Sequence, residues 1–381
     1  MDTFLIINWI AFLIVAFYAI FLFVKVVLTR VSYIKLGKKS DFDLLLKQRL
    51  KSVAVNVLGQ KKLFKDKKSG LMHLILFYGF FIIQIGLIEL IIKGIVVGFQ
   101  YPLGGAHAFY SLIQEWTTFL MFVSILYAAY RRYGEKLLRL QWKRDGKALF
   151  VYIALGILSA TILFTLGIER VMLGLESDFV AAPFSSIVAL GFGWLGATGS
   201  TILFNVFWWL HMLAVLSFMV FVPQSKQFHE MFAIINVFLA KPVPGKLEKI
   251  DFDFDDEDEE EIAFGVGKIE DFKRLQMMDF YSCVECGRCT SVCPAAGTGK
   301  MLSPMDIMIK LRDHLTEKGA AVTGKSPWVP SYVFANTTGN LASAGGLELG
   351  YASDLVTDSM SALGMEMSEL ESFVDQLAKT S

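Results

Sequence analysis

Four cysteines, Cys283, Cys286, Cys289 and Cys293, fall in the stretch CVECGRCTSVCP, and the chain of 381 residues holds no others. Their spacing is C-x2-C-x2-C-x3-C-P. Cysteines this close in sequence cannot build an ordinary structural disulfide network, and they suit a metal site in a reducing compartment. A structural zinc site calls for two C-x2-C pairs separated by a longer loop. The run instead matches the ligand pattern of a bacterial-type 4Fe-4S cluster, in which thiolates from one tight turn take corners of a cubane. Gly287 lets the backbone come close to the sulfides, and Pro294 turns the chain away. In two-cluster ferredoxins the last cysteine of such a run ligates the other cluster. Cys293 therefore either closes the same cubane as its three neighbours or belongs to a second one, for which this sequence holds no further cysteine.

Histidines are the second group able to do chemistry. There are five, and four of them, His73, His107, His211 and His229, lie in or beside strongly apolar stretches. A histidine inside a membrane helix is costly and usually faces an interior function. Neutral imidazole is a good axial ligand for haem iron. His211 and His229 are eighteen residues apart, five whole turns, so a straight helix would place both on one face roughly 27 Å apart. Pro223 lies between them and would kink that helix. Gln84, Glu89, Gln114 and Glu115 add polar groups to the same stretches. Glu115 would either exchange a proton with a quinone or serve as a structural carboxylate.

These residues must be positioned by elements made for lipid. Hydrophobic residues make up 54% of the chain and charged residues 19%, where soluble domains carry about 25% charged. A hydrocarbon core about 30 Å thick takes roughly 20 apolar residues of helix. Five segments qualify: Phe4–Val24, Leu71–Ile92, Ala108–Tyr130, Ala148–Ile168 and Leu203–Val222. Ser185–Gly196 is apolar but short and glycine-rich, as expected of an interfacial or re-entrant piece. The N-terminal run has no basic leader region and no small-residue cleavage site, so no cleavable signal peptide is expected.

Charge sets the orientation. The loops Lys25–Ser69 and Arg131–Lys147 are dense in Lys and Arg, whereas the second loop carries Lys93 and the fourth Arg170 among acids. By the positive-inside tendency the N-terminus lies outside and the chain after the fifth span lies in the cytoplasm. Residues 1–250 carry a net charge of +13 and residues 251–381 a net of −13. The run DFDFDDEDEEE, Asp251–Glu261, reads as a solvated linker. Depth then pairs the histidines: His73 with His229 near the cytoplasmic side, and His107 with His211 nearer the outside.

The constellation resembles a known family. Five spans, the two histidines eighteen apart and a cytoplasmic cysteine motif are similar to the gamma subunit of respiratory nitrate reductases joined to a heterodisulfide-reductase-like module. The stretches INWIAFLIVAFYAIFLFVKVV, LGQKKLFKDKKSG, YRRYGEKLLRL and CVECGRCTSVCPAAGTGKMLSPMDIMIKLRDHLTEKGAAVT resemble the membrane iron–sulfur proteins of Bacillus-type fatty-acid degradation. The resemblance implies an electron-transferring-flavoprotein:menaquinone oxidoreductase that takes electrons from a soluble flavoprotein through 4Fe-4S and haem b. It departs from the pattern in two respects. The nitrate-reductase-like domain carries two haem histidines about ten residues apart in its second span, and here position 83 is Ile83, so a second haem would rest on His107 or be absent. The Bacillus-type proteins also continue into further cysteine-rich domains, so this chain is expected to be an N-terminal part or a split version.

The expected fold is mainly α: a five-transmembrane-helix cytochrome b-like bundle (1–240), an acidic linker (241–265), a small α-helical ferredoxin-like domain (266–340) and a tail (341–381) with an amphipathic helix near Met365–Ala378. The expected ligands are Cys283, Cys286, Cys289 and Cys293 for 4Fe-4S, and His73, His107, His211 and His229 for one or two haems b. Menaquinone is the expected substrate, the flavoprotein the expected partner, and the cell membrane the expected location, with no nucleic acid involved. Two rivals stand beside this reading: a quinol-oxidising cytochrome b that feeds a heterodisulfide-reductase-like partner, and a membrane anchor without redox cofactors.

Overall fold

Among the described residues, five helices are long and apolar enough to cross a membrane: Leu5–Ile34, Lys67–Lys93, Ala106–Tyr133, Ala148–Met172 and Ala197–Gln224. They are seen in a computed structural model that describes residues 3–40, 45–135, 145–240, 265–300 and 302–329. The described residues form helices and turns, with one isolated parallel bridge between Lys38 and Lys273. The acidic run, the tail with its expected amphipathic helix, and most of the basic loop after Tyr133 lie outside the described residues.

The first helix, α1 (Thr3–Ile34), has 32 residues and so extends about 48 Å. That exceeds a hydrocarbon core of about 30 Å, so one end projects beyond it. The segment Lys25–Ile34, expected to begin a loop, is part of this projection. Next come α2 (Leu46–Val53) and short turns at Ala54–Leu58 and Leu63–Lys65. Asp66 then opens α3 (Lys67–Lys93) as an N-cap, accepting from the Ser69 amide at 3.2 Å and pairing with Arg131 at 3.1 Å.

The bundle continues with α4 (Ala106–Tyr133), α5 (Asp145–Met172), the ten-residue α6 (Pro183–Phe192) and α7 (Ala197–Phe221). Helix α6 is too short to cross and packs on α5 and α4, which agrees with the short piece expected there. Helix α5 is central, bordered by α4, α6 and α7, while α3 packs on α4 and α1 on α7. Phe12, Leu90, Ile162, Ile168, Phe204, Trp208 and Met212 form the apolar heart of the bundle. Large side chains such as Ile14, Phe17, Phe109 and Ile202 face outward, the arrangement expected of a lipid-facing surface.

The straight helix joining His211 to His229 is not formed. Helix α7 ends at Phe221, and Pro223 is the middle residue of the 3-10 turn that follows, Val222–Gln224. A second 3-10 turn, Lys226–Phe228, leads into α8 (His229–Leu239). Proline lacks the N–H that would continue the ladder, so the interruption is a full stop and not a kink. Arg49 of α2 closes the far end of α8 by donating to the carbonyls of Phe238 and Ala240.

The cysteine-bearing region consists of α9 (Arg274–Ser282), the one-turn helices α10 (Arg288–Ser291) and α11 (Pro294–Gly297), and α12 (Pro304–Thr323). It is docked on the projecting end of α1 and on α8 through one apolar cluster that includes Tyr33, Phe228, Phe232, Met277, Tyr281 and Leu315. A Cβ on Gly319 of α12 would sit 2.5 Å from the Tyr33 ring, so glycine there sets how closely α12 approaches α1. Arg30 of α1 is buried in the joint, donating to Thr316 at 2.5 Å with its guanidinium over the rings of Tyr281 and Trp328.

Candidate cofactor sites

The four cysteines lie on consecutive short elements. Cys283 ends α9 in extended conformation, Cys286 lies in the following turn, Cys289 is on α10, and Cys293 caps α11 ahead of Pro294. Two left-handed residues bracket Cys286: Gly287 at φ +70° and Glu285 at φ +57°. Glycine adopts this conformation freely, but a glutamate does so only with support. Arg312 of α12 supplies it, donating to the Glu285 carboxylate at 2.5 Å and to the Cys283 carbonyl at 3.3 Å. Both side chains of this ion pair are about nine-tenths buried. All four thiols are free, with Cys289 exposed and the others partly buried. Among the described residues no group of three or more His, Cys, Asp or Glu side chains forms a ready metal site. The fit to a cluster rests on the donor set: four thiols within eleven consecutive residues, with left-handed Glu285 and Gly287 on either side of Cys286.

The turn is seated on the membrane bundle beside two of the histidines. Arg288, between Cys286 and Cys289, reaches the Lys62 carbonyl at 3.5 Å and lies within electrostatic reach of His73. His73 lies near the start of α3 with its Nδ1 buried and without a hydrogen-bond partner. His229, the first residue of α8, has its Nδ1 2.8 Å from the Lys226 carbonyl oxygen. A carbonyl can only accept, so Nδ1 carries the hydrogen and the Nε2 lone pair is free, the tautomer that ligating histidines use. Burial holds the His229 imidazole neutral, its pKa drawn down to about 4, with the nearby His73 and Lys226 adding to the shift and the carbonyl bond opposing it. His73 and His229 thus lie within electrostatic reach of each other, and Arg288 of the cysteine turn within reach of His73.

His211 lies deep in α7, buried between Trp208 and Met212. Its Nδ1 is 2.9 Å from Thr161 Oγ1, and that hydroxyl donates to the Ile157 carbonyl at 2.7 Å. With its proton committed, Thr161 accepts from Nδ1–H, and His211 too is left with a free Nε2 lone pair. His107 lies in the first turn of α4, whose main neighbours are α3, α5 and α6. The His107 Nε2 is buried without a hydrogen-bond partner, 3.9 Å from Glu89 Oε1. No contact joins His107 to His211 among those the structure shows, so their expected pairing gains no geometric support.

At the end of the bundle away from the cysteines, α3, α4, α5 and α6 enclose a polar cavity of about 230 Å3. Sequence reading marked Glu89, Gln114 and Glu115 but missed the partners that give them meaning. Lys93 lies between Glu169, at 2.6 Å, and Glu89, at 3.3 Å. Glu115 accepts from the amides of Phe184 and Ser185 at 2.7 and 3.1 Å, capping α6 from a neighbouring helix. Its structural role is therefore the one that the geometry displays. The i, i+4 spacing of Glu89 and Lys93 was the available signal. Glu169 carried none, since it looked like a loop acid at the end of a span.

A bundle of five membrane-length helices with a four-cysteine turn docked at one end defines a class, the membrane protein with an electron-carrier motif. Comparison with known proteins narrows it. Over 345 residues, 90% of this chain, it is 50% identical to the probable iron-sulfur-binding oxidoreductase FadF of Bacillus subtilis (strain 168) and covers 48% of that protein. Over 284 residues, 71% of the chain and 38% of the relative, it is 25% identical to the EtfAB:quinone oxidoreductase of Syntrophomonas wolfei subsp. wolfei. A 44-residue stretch, 12% of the chain and 7% of the relative, is 46% identical to a probable membrane-anchored ferredoxin of Chromohalobacter salexigens. The chain spans half or less of the curated relatives it matches. No family model and no solved structure matches it. These likenesses support kinship with iron–sulfur oxidoreductases and do not speak to haem.

Proposed function

We propose that the chain is the membrane electron-transfer part of an iron–sulfur oxidoreductase. It would pass electrons from a soluble electron-transferring flavoprotein, through a 4Fe-4S cluster on Cys283, Cys286, Cys289 and Cys293 and through haem b, to menaquinone. One observation carries the reading: Arg288 of the cysteine turn lies within electrostatic reach of His73, and His73 within electrostatic reach of His229, while the nitrogens of the two rings include a buried orphan and a lone pair left free by the Lys226 carbonyl. When bound, the cluster and the haem supply one-electron exchange. The chain's own residues fix the geometry. Arg312 holds the cysteine turn, the Lys226 carbonyl sets the His229 tautomer, and the joint around Tyr33 and Arg30 keeps turn and bundle in one register.

His73 and His229 would be the pair to hold a haem at the cysteine end. His211, with its own free Nε2, lies between the two ends of the bundle and is the remaining candidate to ligate a second haem. The names of the relatives support the quinone and the flavoprotein by analogy, and the basic loops support a cytoplasmic cysteine domain. A reduced-minus-oxidised optical spectrum of the purified protein tests the haem. A b-type band that is lost in His229→Ala and in His73→Ala is expected, and a wild-type spectrum without such a band would leave only an anchor or a cluster carrier.

A further inference from the structure

The polar cavity at the far end of the bundle is built for an occupant. Five buried polar atoms of residues that line it lack partners: His107 Nε2, Tyr110 Oη, Gln114 Oε1, Glu169 Oε1 and Arg170 Nε. Gln114 and Glu169 are 7% and 5% exposed. Orphans of this kind in the apolar part of a membrane protein cost free energy unless something bonds them. Their positions are held from behind. The Gln114 amide nitrogen donates to the Ile82 carbonyl at 2.8 Å, which turns its oxygen free. Gly86 makes room, since a Cβ there would lie 2.8 Å from that oxygen. Lys93 holds Glu169 by one carboxylate oxygen and leaves the other open.

We propose that this cavity binds the head ring of a quinone and is where the ring is reduced, an inference that rests on the function proposed above. The orphans suit a neutral ring that accepts hydrogen bonds when oxidised, donates them once reduced, and tolerates apolar walls. A quinone carbonyl accepts from a His107 N–H, and the hydroxyls of the reduced ring donate to Gln114 and Glu169. The volume of about 230 Å3 falls just under the range of roughly 300–1,000 Å3 usual for ligand pockets, enough for a ring with its isoprenoid tail left in lipid. On reduction the ring takes two electrons, which haem b would supply one at a time, and two protons. Both C=O groups become C–OH and the ring becomes aromatic. One proton comes by way of His107 and Glu89, which lie 3.9 Å apart, and the other by way of Glu169. Both are replaced from water at that end of the bundle. His107 is then a quinone ligand and not a haem ligand.

The test is photolabelling of the purified wild-type protein with an azido-naphthoquinone, the label being mapped by peptide mass. Binding of a fluorescent hydroxyquinoline N-oxide is measured alongside on wild type, Gln114→Leu and His107→Gln. Label on α3–α6 peptides around His107 and Gln114, at least tenfold weaker binding in both variants and an unchanged haem band are expected. Label elsewhere, or variants that bind like wild type, would overturn the site while leaving quinone reduction intact. Loss of haem from His107→Gln would make His107 an iron ligand and also overturn it. No label and no binding in wild type would mean a cavity filled by water only, and the quinone reading would fall with it.

Discussion

Arg312 is buried against the two residues that shape the cysteine turn, and the left-handed Glu285 depends on it. Removing one member of a buried ion pair strands the other, at a cost of about 3–5 kcal/mol. Arg312→Gln is therefore expected to lower the thermal unfolding midpoint and the iron content together. Arg312→Gln combined with Glu285→Gln should recover part of both, and a double variant no better than the single one would show that the pair is not what holds the turn. Thr161 makes a second residue-scale claim. Thr161→Val would leave the His211 Nδ1–H unsatisfied at a cost of about 1–3 kcal/mol, while Thr161→Ser should behave as wild type by thermal unfolding. The cysteines and histidines were legible in the sequence because residue type and local spacing announce them. Arg312, the Lys226 carbonyl and Thr161 were not, because each acts on a residue through folding and their sequence separations carry no pattern.

The break after α7 and the overhang of α1 decide how the two cofactor regions meet. Pro223 ends α7 so that α8 can begin at His229 with its ring against the Lys226 carbonyl. Pro223→Ala permits α7 to run on and should lower the b-type absorbance without loss of helical circular dichroism. A variant with full haem content would show that the break is incidental. Gly319 tests the overhang. Gly319→Leu drives a side chain into the Tyr33 ring, and overpacking of this kind typically costs about 1–3 kcal/mol. It should loosen α12 from α1 and raise the rate of proteolysis in the cysteine region while leaving the bundle intact. The five spans were readable from apolar length alone, and their cores agree with the observed helices. The overhang was not, because Lys25 and Arg30 look like loop charges, and only the cluster around Tyr33 shows why a helix should continue there.

The whole molecule has two unlike ends: a cysteine region docked on α1 and α8, and a polar cavity on the far side of an apolar core. The sequence conveyed this polarity through the charge division between its halves and through the order of spans and motif. It did not convey the cavity, whose walls come from four helices and whose charges balance only once Lys93, Glu89 and Glu169 meet. It also suggested pairing His107 with His211 by depth, and the fold sets them among different neighbours. The central claim is that electrons enter through the cysteine turn and pass from there to haem. The most direct measurement is haem reduction in Cys286→Ala, driven first by reduced flavoprotein and then by dithionite. Loss of the flavoprotein-driven reduction with the dithionite-driven reduction retained is predicted, and flavoprotein-driven reduction at the wild-type rate would contradict the account.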